Sequence, residues 1–181
     1  LTGWWQRKVQ GHWALAVTAP RAKPLPPVLA APTPKDPMVA WLDAAGNLER
    51  ALAGMAKTYY GGCAFPYVTA GLGPGCLEVY LGSEPQFMPE TVWYKPCIKH
   101  PARANLRWNP TNRYWLWTLK TTRTYLRKTC GKCLTAVPDL IEGIDVLSEM
   151  LGTEELLTYL VDCPEEIHRL LDQLDDLYFK A

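Results

Sequence analysis

The chain has no stretch approaching the roughly 18 consecutive apolar residues that a bilayer core demands, so no membrane-spanning helix is expected. It also lacks a concentrated cationic footprint. With 19 Lys+Arg against 18 Asp+Glu and a net charge of +1, it carries no basic cluster of the kind that grips a phosphate backbone. No nucleic-acid partner is expected. Leu1 to Lys8 contain no apolar h-region, and six cysteines in 181 residues fall well below the density of a disulfide scaffold. The thiols are therefore read as reduced and the compartment as cytoplasmic. The chain opens on Leu1 rather than Met, from which a trimmed or missing end is expected.

Phosphate cradles of known type are missing as well. Gly71-Leu72-Gly73-Pro74-Gly75 has neither the Lys-Ser/Thr ending of a P-loop nor the spacing of a dinucleotide fingerprint. It reads as a tight strand-to-helix turn, with ligand binding as the alternative. Cys130-Gly131-Lys132-Cys133 has the spacing of half a zinc site, but no second pair follows at finger-like spacing. The simpler reading ends a helix near Thr129, turns at Gly131 and opens a strand at Cys133.

What is present is an ordinary globular composition, 48% hydrophobic and 20% charged, enough for a sizeable core. Trp4 to Val9 reads as a short amphipathic piece leading to an apolar run, His12 to Thr18, taken as a buried strand. Seven prolines between Pro20 and Pro37 block helix and ladder alike, making residues 20–37 a proline-rich loop. A helix is predicted from Met38 to Thr58, on Leu42, Ala45, Leu48, Leu52 and Met55, followed by a Gly61-Gly62 break. A strand over Cys63–Val68 and a brief helix through Leu77 and Tyr80 to Gly82 come next. Thr91–Tyr94 reads as extended. A helix over Thr111–Thr129 carries a basic outer face, and Cys133–Asp139 reads as another buried strand. Three helical patterns close the chain: Gly143–Leu151, Thr153–Val161 and Pro164–Lys180. In the last, Ile167, Leu170, Leu171, Leu174, Leu177 and Tyr178 form one stripe, with Pro164 suited to the first turn. Strands alternating with helices predict an α/β fold around a parallel sheet.

A set of segments in fixed order resembles the uroporphyrinogen decarboxylase-like superfamily: Leu15 to Arg21, Thr58 to Gly62, Gly71 to Gly75, Leu81 to Pro85, Asp139 to Gly143 with Leu147, Leu151 to Glu154, and Asp162 to His168. The resemblance covers nearly the whole chain and is closest to a branch that includes cobalamin-dependent methyltransferases. It implies an incomplete (β/α)8 TIM barrel, residues 1–181 forming the N-terminal part of a single domain. A complete barrel takes about 250 residues, with its site at the carboxyl ends of the strands. The missing C-terminal half, or a homo-oligomer, is then expected as partner.

The same resemblance implies an enzyme when full length, favoured as a methyltransferase acting on a corrinoid-carried methyl group; the substrate is a small molecule or a corrinoid protein. Zinc would be held by residues outside this chain. Decarboxylation of uroporphyrinogen III is the alternative and needs no metal; a non-enzymatic fragment or binding domain is the third reading. The decarboxylase's arginine-rich motif after the first strand is reduced here to Ala19-Pro20-Arg21, whereas a polycarboxylate wants several bidentate arginines. The candidate residues stand at predicted strand ends. Arg21 either binds an anion or forms a structural ion pair. Asp139 either hydrogen-bonds substrate and transfers a proton or anchors the loop as a helix cap. Tyr67 and Trp93 line the pocket or fill the core, and Asp145 joins the site or lies on a solvated turn.

Overall fold

The computed structural model of the protein describes residues 2–8, 11, 14–23, 25–26 and 29–181. Val9, His12 and Trp13, parts of the expected amphipathic lead and first strand, lie outside these, as do Pro24 and Pro27 of the proline-rich loop. The elements run α1 (Thr2–Trp5), β1 (Ala16–Pro20), α2 (Pro37–Leu42), α3 (Ala44–Lys57), β2 (Thr58–Gly62), β3 (Tyr67–Thr69), α4 (Leu77–Leu81), β4 (Glu84–Phe87) and β5 (Val92–Lys95). A 3-10 turn at Pro101–Arg103 precedes α5 (Arg113–Thr129), β6 (Leu134–Ala136), α6 (Ile144–Leu151), α7 (Thr153–Asp162) and α8 (Pro164–Tyr178).

The stripe on α8 behaves as its spacing requires. Ile167, Leu170, Leu174 and Leu177 are buried; the first three join Val146, Leu147, Met150 and Leu151 of α6, Leu156 of α7 and Leu77 of α4 in one cluster. Full burial of each such side chain stabilises by about 1.5–3 kcal/mol, so Leu170→Ala would cost about 2–5 kcal/mol. Pro164 stands in the first turn, where no intrahelical N–H is needed. A second cluster gathers Leu72, Cys76, Val79, Tyr80, Val92, Tyr94 and Tyr114, and a third Leu48, Val68, Ala70 and Tyr125.

Caps explain the helix starts. Asp36 Oδ1 accepts from Val39 N (2.9 Å) at α2, and Asp43 Oδ1 from Gly46 N (3.0 Å) at α3. The helix expected over Met38–Thr58 is thus two helices, because Asp43 leaves helical geometry to cap the second. Asn112 caps α5 through Tyr114 N and Trp115 N, while its amide donates to the Val79 carbonyl (2.9 Å), binding the start of α5 to α4.

The expected parallel barrel portion is not found. The described residues hold three two-stranded sheets: β1 antiparallel to β2 (Ala16 opposite Gly62, Pro20 opposite Thr58), β3 parallel to β6 (Tyr67 opposite Leu134, Thr69 opposite Ala136), and β4 antiparallel to β5 (Glu84 opposite Lys95). The segments ending near Val17, Val68 and Val137 therefore do not share one sheet. The residues read as a Gly61-Gly62 break are instead part of β2, which returns along β1 and takes up its ladder. Strands taken as buried on both faces are also half open: all of β1 is exposed, as are Leu134 and, at 82%, Val137. A short apolar run is compatible with a buried strand, but tertiary neighbours decide whether its second face is covered. On β5, Val92 and Tyr94 point inward and Trp93 outward, the period of a half-covered strand. Among the described residues no helix is long and apolar enough to cross a membrane.

Candidate functional site

Two loops meet where the parallel strands end. The chain leaves β3 through Ala70 and Gly71–Gly75 into α4, and leaves β6 through Val137–Gly143 into α6. Thr69 Oγ1 donates to the Val137 carbonyl (3.2 Å), fastening the two exits together. In open α/β arrangements ligands bind outside the carboxyl ends of parallel strands.

The glycine-rich loop is shaped by what it touches. At Gly73, φ is +104° and an added Cβ would lie 2.8 Å from the Val92 Cβ; at Gly75, φ is +77° and an added Cβ would lie 2.6 Å from Glu78 Oε1. Neither position has room for a side chain, and both lie outside the backbone region L-residues prefer. The loop is held from inside by the Tyr94 hydroxyl, which reaches the carbonyls of Leu72 (2.9 Å) and Gly75 (2.5 Å). The Leu72 N–H donates to Cys76 Sγ (3.3 Å). Burial pushes the Cys76 thiol up to about 11, so it is a packing group rather than a nucleophile.

Beneath this loop lies Glu78, 1% exposed, with neither carboxyl oxygen hydrogen-bonded. Burial, then the Glu149 and Asp139 carboxylates, push it up to about 7. Ionising a buried carboxyl without a partner is costly, so the group keeps its proton through the acid range and gives it up only around neutrality. Glu149, on α6, is also shifted upward, by burial and by Asp145.

Of the residues expected from sequence, Trp93, Asp139 and Asp145 gather here. Asp139 is exposed, and its Oδ1 accepts from Ile141 N (3.1 Å), an Asx turn that sets the loop after β6. It lines a cavity of 310 Å³ together with Glu142, Asp145 and Tyr178. Asp145 and Ile141 also line a 190 Å³ cavity walled by Pro74, Trp93, Tyr94 and Glu149, so the two adjoin. A third cavity of 310 Å³ opens between the glycine-rich loop and the indoles of Trp41 and Trp117, with Thr69 and Asn47 among its polar groups.

Arg21 and Tyr67 stand apart. Arg21 follows β1, with Nε 3.4 Å from the Thr58 carbonyl in the antiparallel sheet. Tyr67 is exposed at the amino end of β3, its ring edge-on to Phe65 at 6.4 Å, whereas both loops leave the carboxyl ends. Sequence reasoning passed over Glu78, Tyr94 and Trp117. Glu78 had a signal: a lone acid inside the apolar run Cys76-Leu77-Glu78-Val79-Tyr80.

The described residues hold no group of three or more His, Cys, Asp and Glu placed to bind a metal ion. The Cys130 and Cys133 thiols flank the Gly131 turn (φ +73°) that leads from α5 to β6. The chain matches no protein-family model, no curated protein and no solved structure.

Proposed function

We propose that the protein is an enzyme of the uroporphyrinogen decarboxylase-like superfamily, acting on a small molecule at the carboxyl ends of β3 and β6, with corrinoid-linked methyl transfer as its reaction. The observation that carries this reading is the parallel pairing of β3 with β6. It brings Gly71–Gly75 and Asp139–Gly143, two segments of the resemblance far apart in the chain, to the same edge. The polar character of that edge favours methyl transfer over decarboxylation. Asp139, Glu142 and Asp145 line one cavity and Asp145 and Glu149 its neighbour, a setting that repels a substrate bearing many carboxylates. In this reading Asp139 positions the substrate through Oδ2, Oδ1 being committed to the Ile141 N–H, and exchanges a proton with it where the methyl carrier requires one. Trp93 supplies an apolar wall. The exposed Val137 beside the site supports its closure by further protein surface, from a second copy or from additional polypeptide.

The test is methyl transfer from methylated small molecules to cob(I)alamin, followed by the absorbance of methylcobalamin, beside an assay of uroporphyrinogen turnover. Asp139→Asn keeps the Oδ1 acceptor of the Asx turn and removes the charge. It is expected to lower methyl transfer at least about tenfold with the unfolding midpoint unchanged. Uroporphyrinogen turnover without methyl transfer would reverse the order, and a loss of stability with activity per folded molecule intact would make Asp139 a structural anchor.

A further inference from the structure

The stretch from Cys97 to Arg107 is largely irregular backbone, yet it is tied down along its length. The N–H groups of Cys97 and Ile98 both donate to the Met150 carbonyl (2.8 and 2.9 Å). Arg169 Nη2 donates to the carbonyls of Pro101 (2.8 Å) and Ala104 (3.0 Å), and Leu106 N donates to Gln173 Oε1 (2.9 Å). Two α8 side chains and the end of α6 thus fix a loop whose own backbone orders only the 3-10 turn at Pro101–Arg103.

What the loop presents is positive. Lys99, His100, Arg103 and Arg107 line a cavity of 430 Å³ floored by Leu81 and Met150, and no Asp or Glu is among the lining residues. None of the four is in an ion pair among the described residues; the nearby Glu166 carboxylate is taken by Arg169 Nε (2.8 Å). The donors are oriented. In the amide orientation that satisfies both its ends, Asn105 accepts from Arg107 Nη2 (3.1 Å) and Nε (3.3 Å), leaving Nη1 for a ligand. His100 Nδ1 accepts from Ala102 N (3.2 Å), which puts the neutral ring's proton on Nε2 as a further donor.

We propose that this cavity binds a phosphate-bearing small molecule, with Arg103 and Arg107 as the principal ligands and Lys99 and His100 completing the donor set. Two arginines and a lysine lining one concavity, with no carboxylate among its lining residues, match the charge and acceptor oxygens of phosphate. The pre-fixed loop lowers the ordering cost of binding. The cations come from a single short loop around a cavity rather than along a stripe, so the fit is to a compact ligand and not to a nucleic-acid backbone. The site shares no lining residue with the acidic cavities at the strand ends, so it stands whether or not the proposed reaction does.

Calorimetric titration of the whole chain with pyrophosphate tests this. Saturable one-to-one binding is expected, weakened at least about tenfold by Arg103→Ala and by Arg107→Ala and unchanged by Lys120→Ala, an exposed basic residue on α5. The two arginines are exposed, so their variants are expected to fold, which circular dichroism checks. Citrate, an anion without phosphate, should bind at least about tenfold more weakly than pyrophosphate. No saturable heat, an equal loss in Lys120→Ala, citrate binding as tight as pyrophosphate, or binding to phosphatidylglycerol vesicles undiminished by excess pyrophosphate would each overturn the assignment.

Discussion

The Glu78 carboxyl occupies the space into which a side chain on Gly75 would project: a Cβ there falls 2.6 Å from Oε1 and 3.1 Å from the Ile141 Cδ1. Gly75→Ala is expected to destabilise by about 1–3 kcal/mol, from backbone strain and this overlap together. In a Glu78→Ala background the overlap with Oε1 is gone and only the strain and the Ile141 contact persist. The double variant should therefore recover at least about 0.5 kcal/mol relative to the sum of the singles. Urea unfolding of the four proteins measures it, and strict additivity would show that the two positions do not share space.

The same carboxyl makes stability depend on pH. In the unfolded chain Glu78 ionises near its ordinary 4.5, and in the folded protein only at about 7, with Asp139 and Glu149 as neighbouring carboxylates and no cation against it. The folded state therefore holds the proton more tightly. Stability from this group is greatest below about pH 4.5, declines as the pH rises to about 7 and is level beyond. The loss is on the order of 3 kcal/mol. Glu78→Gln should remove that slope and be more stable than the parent at pH 8. Parallel stability curves for parent and variant between pH 5 and 8 would refute it.

Tyr94 anchors the glycine-rich loop through one hydroxyl shared between two carbonyls. Tyr94→Phe leaves both without that donor and is expected to cost about 1–3 kcal/mol. The loop should then loosen while the ring stays packed. Amide exchange at Gly73 and Gly75 should accelerate more than at Leu147 in α6; uniform acceleration would mean that the hydroxyl serves global stability alone.

The cysteines divide by exposure. Cys97 and Cys130 are exposed, whereas Cys76 is buried with its thiol pushed up to about 11. Brief iodoacetamide treatment at pH 7.5 with peptide mass spectrometry should modify the first two and spare Cys76 until denaturant is added. Native labelling of Cys76 at a comparable rate would contradict the packing described for the loop.

Local periodicity made the helices legible. The spacing of Ile167, Leu170, Leu174 and Leu177 and the breaks at Gly152 and Pro164 lie within a few residues of what they determine. Asp43 was harder, because an acid inside an amphipathic pattern ends one helix and caps another only when its carboxylate turns back to Gly46. Strand partners were not legible. Nothing in Thr58–Gly62 announces that it lies antiparallel to β1, and the apolar residues Leu134 and Val137 read alike whether covered or not. Of the candidate site, Asp139 was singled out because it follows a predicted strand, whereas Trp93 lies inside β5 and Asp145 in the first turn of α6. Glu78 was not singled out, since its burial beneath the glycine-rich loop is set by tertiary packing rather than by its sequence neighbours.

Thr69 and Val137 stand 68 residues apart in the chain, which has a kinetic meaning. A three-residue parallel pair repays little of the entropy of closing so long a loop, so β3 and β6 are expected to dock late in folding and to part at low cost afterwards. The cleft at their carboxyl ends exists only while they are joined. A ligand touching both loops would act as a clasp, drawing the joined form from a fluctuating population by mass action. Occupancy would then show itself first as slowed exchange of the Val68 and Thr135 amides, before any change in the helices.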